Sequence, residues 1–103
     1  MAAFNNTGEI CFAGTRLFVQ RRIHDEVLER RSALSRTLRV GRGTDPQAAG
    51  RRSRRRVFGD VRNDMTIAQE EIFGPVTSVI PSDDADEGLR LANQIDYGFG
   101  RAV

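Results

Sequence analysis

A sequence of 103 residues has room for one small domain, burying about two-thirds of the surface its unfolded chain exposes, and excludes two independent ones. Hydrophobic residues make up 39% and charged residues 29%, near the globular average, but ten glycines leave little side-chain volume for a core. All sixteen basic residues are arginine at a net charge of only +2, a usage that reads as coding bias and does not by itself indicate nucleic acid.

Residues 1–6 lack the basic start and apolar stretch of a signal peptide, and no apolar run reaches membrane-spanning length. A glycine-punctuated turn follows over residues 8–14 and holds the single cysteine, Cys11. One cysteine excludes an internal disulfide and the disulfide-stapled secreted class, so a reducing, cytoplasmic setting is the expectation. Arg16-Leu17-Phe18-Val19-Gln20 predicts a strand. Next, Ile23, Val27, Leu28, Leu34 and Leu38 recur at helical spacing, and Asp25 and Glu26 suit the positive end of a helix dipole, so residues 24–38 are expected to be helical. His24, alone at the start of that helix, reads as a solvated side chain; no Cys/His cluster surrounds it and no metal site is expected.

From Gly41 to Arg56 the apolar periodicity disappears into a glycine-rich and then arginine-rich stretch, read as loop. Val76-Thr77-Ser78-Val79-Ile80, entered from Gly74-Pro75, predicts the second strand. A helix is expected over residues 83–93, with Ser82 or Asp83 as its cap, Asp84, Asp86 and Glu87 at its amino end, and Gly88 weakening it by about 1 kcal/mol. Strand, helix, loop, strand, helix is an α/β pattern with no internal repeat. It describes one partial domain of two main helices and an incomplete sheet, divided into residues 1–39, a join at 40–56, and 57–103.

The residues that carry chemistry fall in two strings. Small neighbours leave room around the Cys11 sulfur, but a cysteine between Ile10 and Phe12 is on its own more often a small buried hydrophobe than a nucleophile. Glu70-Glu71-Ile72-Phe73 joins adjacent carboxylates to an aromatic before the Gly-Pro turn, and alone reads as a solvated pair beside a core ring.

In full, FNNTGEICFAGTRLFVQ resembles the cysteine signature of the NAD(P)-dependent aldehyde dehydrogenase family, Gly-Gln/Glu-x-Cys-x-Ala-Gly leading into an Arg-containing strand, and the likeness continues through RLFVQRRIHDEVLER. Met65-Thr66-Ile67-Ala68-Gln69-Glu70-Glu71-Ile72-Phe73-Gly74-Pro75 resembles the segment of that family ending Glu-Glu-Ile-Phe-Gly-Pro. Ala92-Asn93 through Tyr97-Gly98 is similar to its Ala-Asn-x-x-x-Tyr-Gly-Leu segment, with departures at Phe99 and Arg101. The resemblance implies a partial aldehyde dehydrogenase catalytic domain and an oxidoreductase acting on an aldehyde substrate. Cys11 would be the nucleophile and its backbone N–H part of the oxyanion site. Reaction would run through a thiohemiacetal and a thioester, with NAD or NADP as cofactor. Glu71 would accept hydrogen bonds from the nicotinamide ribose, and Phe73 would pack near the nicotinamide.

Within the 103 residues nothing matches the water-activating glutamate of the family's Glu-Leu-Gly-Gly-Lys-type motif, since Glu9, Glu70 and Glu71 stand elsewhere in the pattern. The interval from Cys11 to Glu71 is also a few dozen residues shorter than is usual in the family, with Arg51 to Arg56 at the join. The resemblance therefore implies a shortened fragment that is not active by itself. An alternative is a non-catalytic protein using the arginine-rich join to hold nucleic acid or an acidic partner; aromatic stacking residues and a nucleic-acid motif are lacking, so nucleic acid is not the expected partner. Association with full-length subunits is a third reading, with no amphipathic seam behind it.

Overall fold

The structure is a computed structural model that describes residues 4, 8–11, 13–38, 55–98 and 100. In chain order its elements are β1 (Arg16–Gln20), α1 (His24–Thr37), β2 (Arg56–Phe58), α2 (Thr66–Gln69), β3 (Val76–Ser82) and α3 (Ala85–Ala92), with one 3-10 turn, Arg21–Ile23, leading into α1. The expected α/β class is what is observed. The three strands form a parallel sheet in the order β1-β3-β2, with Arg16 opposite Ser78 on one side of β3 and Phe58 opposite Ser78 on the other.

Central parallel strands are covered on both faces and carry near-continuous runs of buried residues. β3 follows that rule: Thr77, Ser78, Val79, Ile80 and Ser82 are buried. Ile80 packs with Val61 and Ala68, and Phe18, Met65 and Ile67 close around them, which fixes the short α2 against the sheet. Three buried hydroxyl residues inside so thin a core leave apolar burial to few side chains.

Several local expectations are corrected. β3 runs through Pro81 to Ser82 rather than stopping at Ile80. Proline removes one ladder donor, but the Ser78 N–H points to β1, where it reaches the Thr15 carbonyl at 2.8 Å. By the alternation of a strand the Pro81 nitrogen then faces the β2 side, beyond the last β2 pair at Phe58. β2 and α2 were not anticipated as elements, because three and four residues are too short to show periodicity. Most of the expected 40–56 loop lies outside the described residues, but its last residue, Arg56, opens β2. His24 is buried, only 4% exposed, rather than solvated, and its Nδ1 lies 3.1 Å from an Asp25 carboxylate oxygen. Ile23 and Leu34 of the expected apolar face of α1 are exposed.

α3 is capped by Asp84, not by Ser82 or Asp83. Its Oδ1 accepts from the Glu87 N–H at 2.8 Å, while Glu87 Oε2 accepts from the Asp83 N–H at 2.6 Å. This is a reciprocal arrangement like a capping box whose return bond falls one residue early. Arg21 meets Asp83 at 2.7 Å and ties the end of β1 to the start of α3; the same hydrogen bond holds the guanidinium pKa above its ordinary value. In the loop before α2, the hydrogen bond from Arg62 at 3.0 Å holds the Asp64 carboxyl below its usual value. A depressed carboxylate favours the folded chain at neutral pH and loses that contribution as the pH falls through the carboxylate range, a small effect at so exposed a pair. Among the described residues no helix is long and apolar enough to cross a membrane.

Gly88 is the one helical glycine whose removal is open. A Cβ there meets Ser82 Oγ at 3.5 Å and Phe18 Cβ at 3.8 Å, ordinary contact distances. Gly88→Ala is expected to stabilise the chain by about 0.5–1 kcal/mol in urea denaturation, and Asp84→Ala to destabilise it by about 1 kcal/mol.

Candidate functional site

Parallel pairing places the amino ends of β1 and β3 at the same edge of the sheet. The turn before β1 carries Cys11, and the loop before β3 carries Glu71 and Phe73. α3 runs back along β1, since its start is tied to Arg21 and its last residue, Ala92, accepts a hydrogen bond from Arg16 Nη2 at 3.2 Å. These three segments enclose a cleft of about 550 Å³, lined by Cys11, Arg16, Glu71, Phe73 and Tyr97 among others.

Each wall has its own local cause. In the cysteine turn the Ala13 N–H donates to the Ile10 carbonyl at 2.9 Å, and the Thr15 N–H to the Ala13 carbonyl at 2.9 Å. Gly8, with φ of 70°, begins it in the left-handed region that glycine enters without a Cβ clash. Cys11 is a free thiol and exposed. Opposite, α2 is held by Ala68 in the core and by Gln69, whose side-chain amide donates to the Asn63 carbonyl. Asn63 Nδ2 in turn donates at 3.1 Å to the Leu91 carbonyl, so the α2 loop and the end of α3 are fixed to each other.

All three residues singled out in the sequence therefore line one cleft. Among the described residues neither carboxylate of the exposed Glu70 and Glu71 has an ion-pair partner. Phe73 sits at φ 50° and is 51% exposed. A bulky residue in the left-handed region costs on the order of 1–2 kcal/mol, and the half-exposed ring recovers only part of that by burial. The expectation that Phe73 is a core ring, made from its composition alone, is thus not met.

A model of the aldehyde dehydrogenase family matches residues 1–51 and 47–103. The chain belongs to the aldehyde dehydrogenase family. A betaine aldehyde dehydrogenase of Rhizobium leguminosarum bv. trifolii is 31% identical over 140 residues, covering 97% of this chain and 29% of that relative. The chain thus spans 29% of the length of this curated relative, whose matching stretch is a few dozen residues longer than the whole chain. The crystal structure of a Mycobacterium tuberculosis aldehyde dehydrogenase complexed with NAD+ superposes with a TM-score of 0.89 at 29% identity, over 94% of this chain and 28% of that one. An aldehyde dehydrogenase mutant from Pseudomonas syringae in complex with NAD+ and octanal gives 0.85 at 27% identity, over 92% of this chain and 28% of its own. The three-stranded parallel sheet is accordingly part of the aldehyde dehydrogenase fold.

Sequence reasoning missed four members of the cleft. Arg16, noted only as the arginine of the family-like strand, joins the end of α3 to β1 and lies 5.3 Å over the Phe18 ring. Gln69 was not noted as a loop anchor. The tail was given no chemistry, yet Ile95 and Tyr97 form part of the wall. Only the likeness of the tail string to the family signals the last two. Phe99 and Arg101, the two departures from that string, lie outside the described residues.

The backbone of Phe73 yields a direct measurement. Phe73→Gly and Phe73→Ala both delete the ring, but only glycine relieves a φ of 50°. The glycine variant is expected to be more stable than the alanine variant by about 1 kcal/mol in urea denaturation, reversing the usual order of the two residues. Equal stabilities, or alanine the more stable, would show that the backbone relaxes at no cost.

Proposed function

We propose that residues 1–103 are the nucleophile-bearing piece of an NAD(P)-dependent aldehyde dehydrogenase whose reaction oxidises an aldehyde to a carboxylic acid. Cys11 is the nucleophile, and Glu71 and Phe73 receive the nicotinamide end of the cofactor. The observation that carries the reading is the single cleft in which an exposed thiol faces the Glu71 loop.

The residues present fit that end of the cofactor. Glu71 is exposed and takes part in no ion pair among the described residues, so both carboxylate oxygens are available to ribose hydroxyls. Phe73, held out of the core by its backbone, offers a flat apolar face in the same cleft. When bound, NAD or NADP supplies the acceptor for the hydride that leaves the aldehyde carbon.

The chain's own chemistry begins with attack of the Cys11 thiolate on the aldehyde carbonyl carbon, which gives a tetrahedral thiohemiacetal. The Cys11 backbone N–H donates to the oxygen on which charge develops. After oxidation the acyl group is a thioester on Cys11, and water must be activated to release it. No carboxylate in these residues matches the family's water-activating glutamate. Residues 1–103 on their own therefore supply attack without turnover.

Two measurements test this reading. A thiol-specific electrophile should label Cys11 in the native chain, before denaturation; protection until unfolding would return Cys11 to a structural role. Mixed with aliphatic or aromatic aldehydes and NAD or NADP, the 103-residue chain should form at most one thiol adduct per molecule and no steady flow of reduced nicotinamide. Repeated turnover abolished by Cys11→Ala would overturn the claim that these residues lack the later steps.

A further inference from the structure

Away from the cysteine cleft, α1 and β2 border an open hollow of about 260 Å³ lined by Ser32, Ser35, Arg36, Arg55, Arg56 and Phe58. We propose that this hollow binds a phosphate group, held chiefly by Arg55. The site is independent of the reading given to Cys11.

Charge is the first argument. Three arginines line one small hollow, and among the described residues no carboxylate belongs to its lining and none of the three is in an ion pair. Four exposed arginines behave differently: Arg21, Arg30, Arg62 and Arg90 each meet a carboxylate within 3.4 Å, while Arg22 meets only the Gln20 side chain. Like charges gathered without a counter-charge repel, and a dianion between them removes that cost.

The second argument is the unmet donors of Arg55. Its Nη1 donates to the Leu38 carbonyl at 3.3 Å, which satisfies a carbonyl just past α1. Nε and Nη2 are buried and, among the described residues, have no hydrogen-bond partner. These two N–H groups form the parallel fork with which arginine grips two oxygens of one phosphate or carboxylate. Buried and unpaired, they carry a desolvation penalty. Turning that edge into the adjoining hollow, onto two phosphate oxygens, relieves it.

Phosphate suits the remaining lining better than carboxylate. A carboxylate is used up by one bidentate arginine, whereas a phosphate keeps oxygens for Arg36, Arg56 and the Ser32 hydroxyl, and its second charge answers the excess of guanidinium. The group can come as free phosphate or on a small ester, because Phe58 gives the hollow an exposed apolar wall.

Isothermal titration of the 103-residue chain at low ionic strength, with inorganic phosphate and with adenosine 5′-monophosphate, tests the site. Saturable binding of one phosphate group per chain is expected. Arg55→Gln should weaken it roughly tenfold or more. Arg22→Gln, which removes the same charge from an exposed position elsewhere, should change it by less than about twofold. If Arg55→Gln fails to fold, Arg36→Gln decides, since its side chain is exposed and its loss should still weaken binding several-fold. Tighter binding of the nucleotide, with the gain removed by Phe58→Ala, supports the site as one for an ester; equal binding supports it as one for free phosphate. Absence of saturable binding by either probe overturns the proposal. So does an Arg22→Gln loss as large as that of Arg55→Gln or Arg36→Gln, because generic attraction to an arginine-rich chain then explains the binding.

Discussion

The parallel pairing of β3 with both β1 and β2 is the constraint on which the rest depends. Ser78 is the register point shared by the two ladders, opposite Arg16 on one side and Phe58 on the other. Because neighbouring parallel strands start at the same edge, the turn that enters β1 and the loop that enters β3 are brought side by side however far apart they lie in sequence. α3 must then return toward that edge, and the Arg16 bond to Ala92 and the Arg21 bond to Asp83 hold it at both ends. Open α/β sheets usually bind ligands outside the carboxyl ends of their strands. Here the cleft lies at the amino ends, which is what places the thiol before a strand rather than after one.

Support beneath that edge is slender. Among the described residues the buried hydrophobic side chains are Phe4, Val19, Val61, Ala68, Val79 and Ile80, of which only the last two belong to the central strand. α1 buries a single residue, His24, while Ile23 and Leu34 face solvent. Against this background the left-handed Phe73 is informative. Strain in a sparsely cored chain persists where neighbouring structure overdetermines it, and Gly74-Pro75, the start of β3 and the anchored α2 do so from both sides. The same anchoring keeps Glu71 on the rim of the cleft instead of letting the loop collapse onto the exposed apolar surface nearby.

Legibility in the sequence followed the length of each signal. β1 was readable to the residue, and α1 to within one, because alternation and helical spacing extend over enough positions to be distinctive. β2 has three residues and no pattern of its own; it is a strand because β3 offers a partner, an effect that no local reading contains. Pro81 misled for a related reason, since whether proline ends a strand depends on which side its nitrogen faces. His24 reads as a polar residue at a helix start, and its burial depends on the approach of the β2–α2 loop, where Asp60 lies 3.9 Å from its ring nitrogen. For the cleft, composition could name a thiol, two carboxylates and a ring, but their meeting required the strand order. Likeness to the family carried that information indirectly, in the order of its strings.

The join between the halves is consistent with the same constraint. The family model matches in two stretches that meet at residues 47–51, and the compared relative uses a longer stretch to cover the same ground. Shortening between α1 and β2 changes the crossover, but it leaves untouched the residues by which β1 and β2 pair with β3. Parallel strands tolerate a change in connection so long as the chain can still pass from one end of the sheet to the other. A difference in connection bears on the surface between the two elements it joins. That surface lies between α1 and β2, where Leu34 and Phe58 are exposed and where, among the described residues, Arg36, Arg55 and Arg56 gather without carboxylates. The cysteine cleft, at the edge set by β1 and β3, owes nothing to the crossover, so the two regions can diverge independently: one keeps the residues of its family, and the other is free to acquire a partner for its unmet arginine donors.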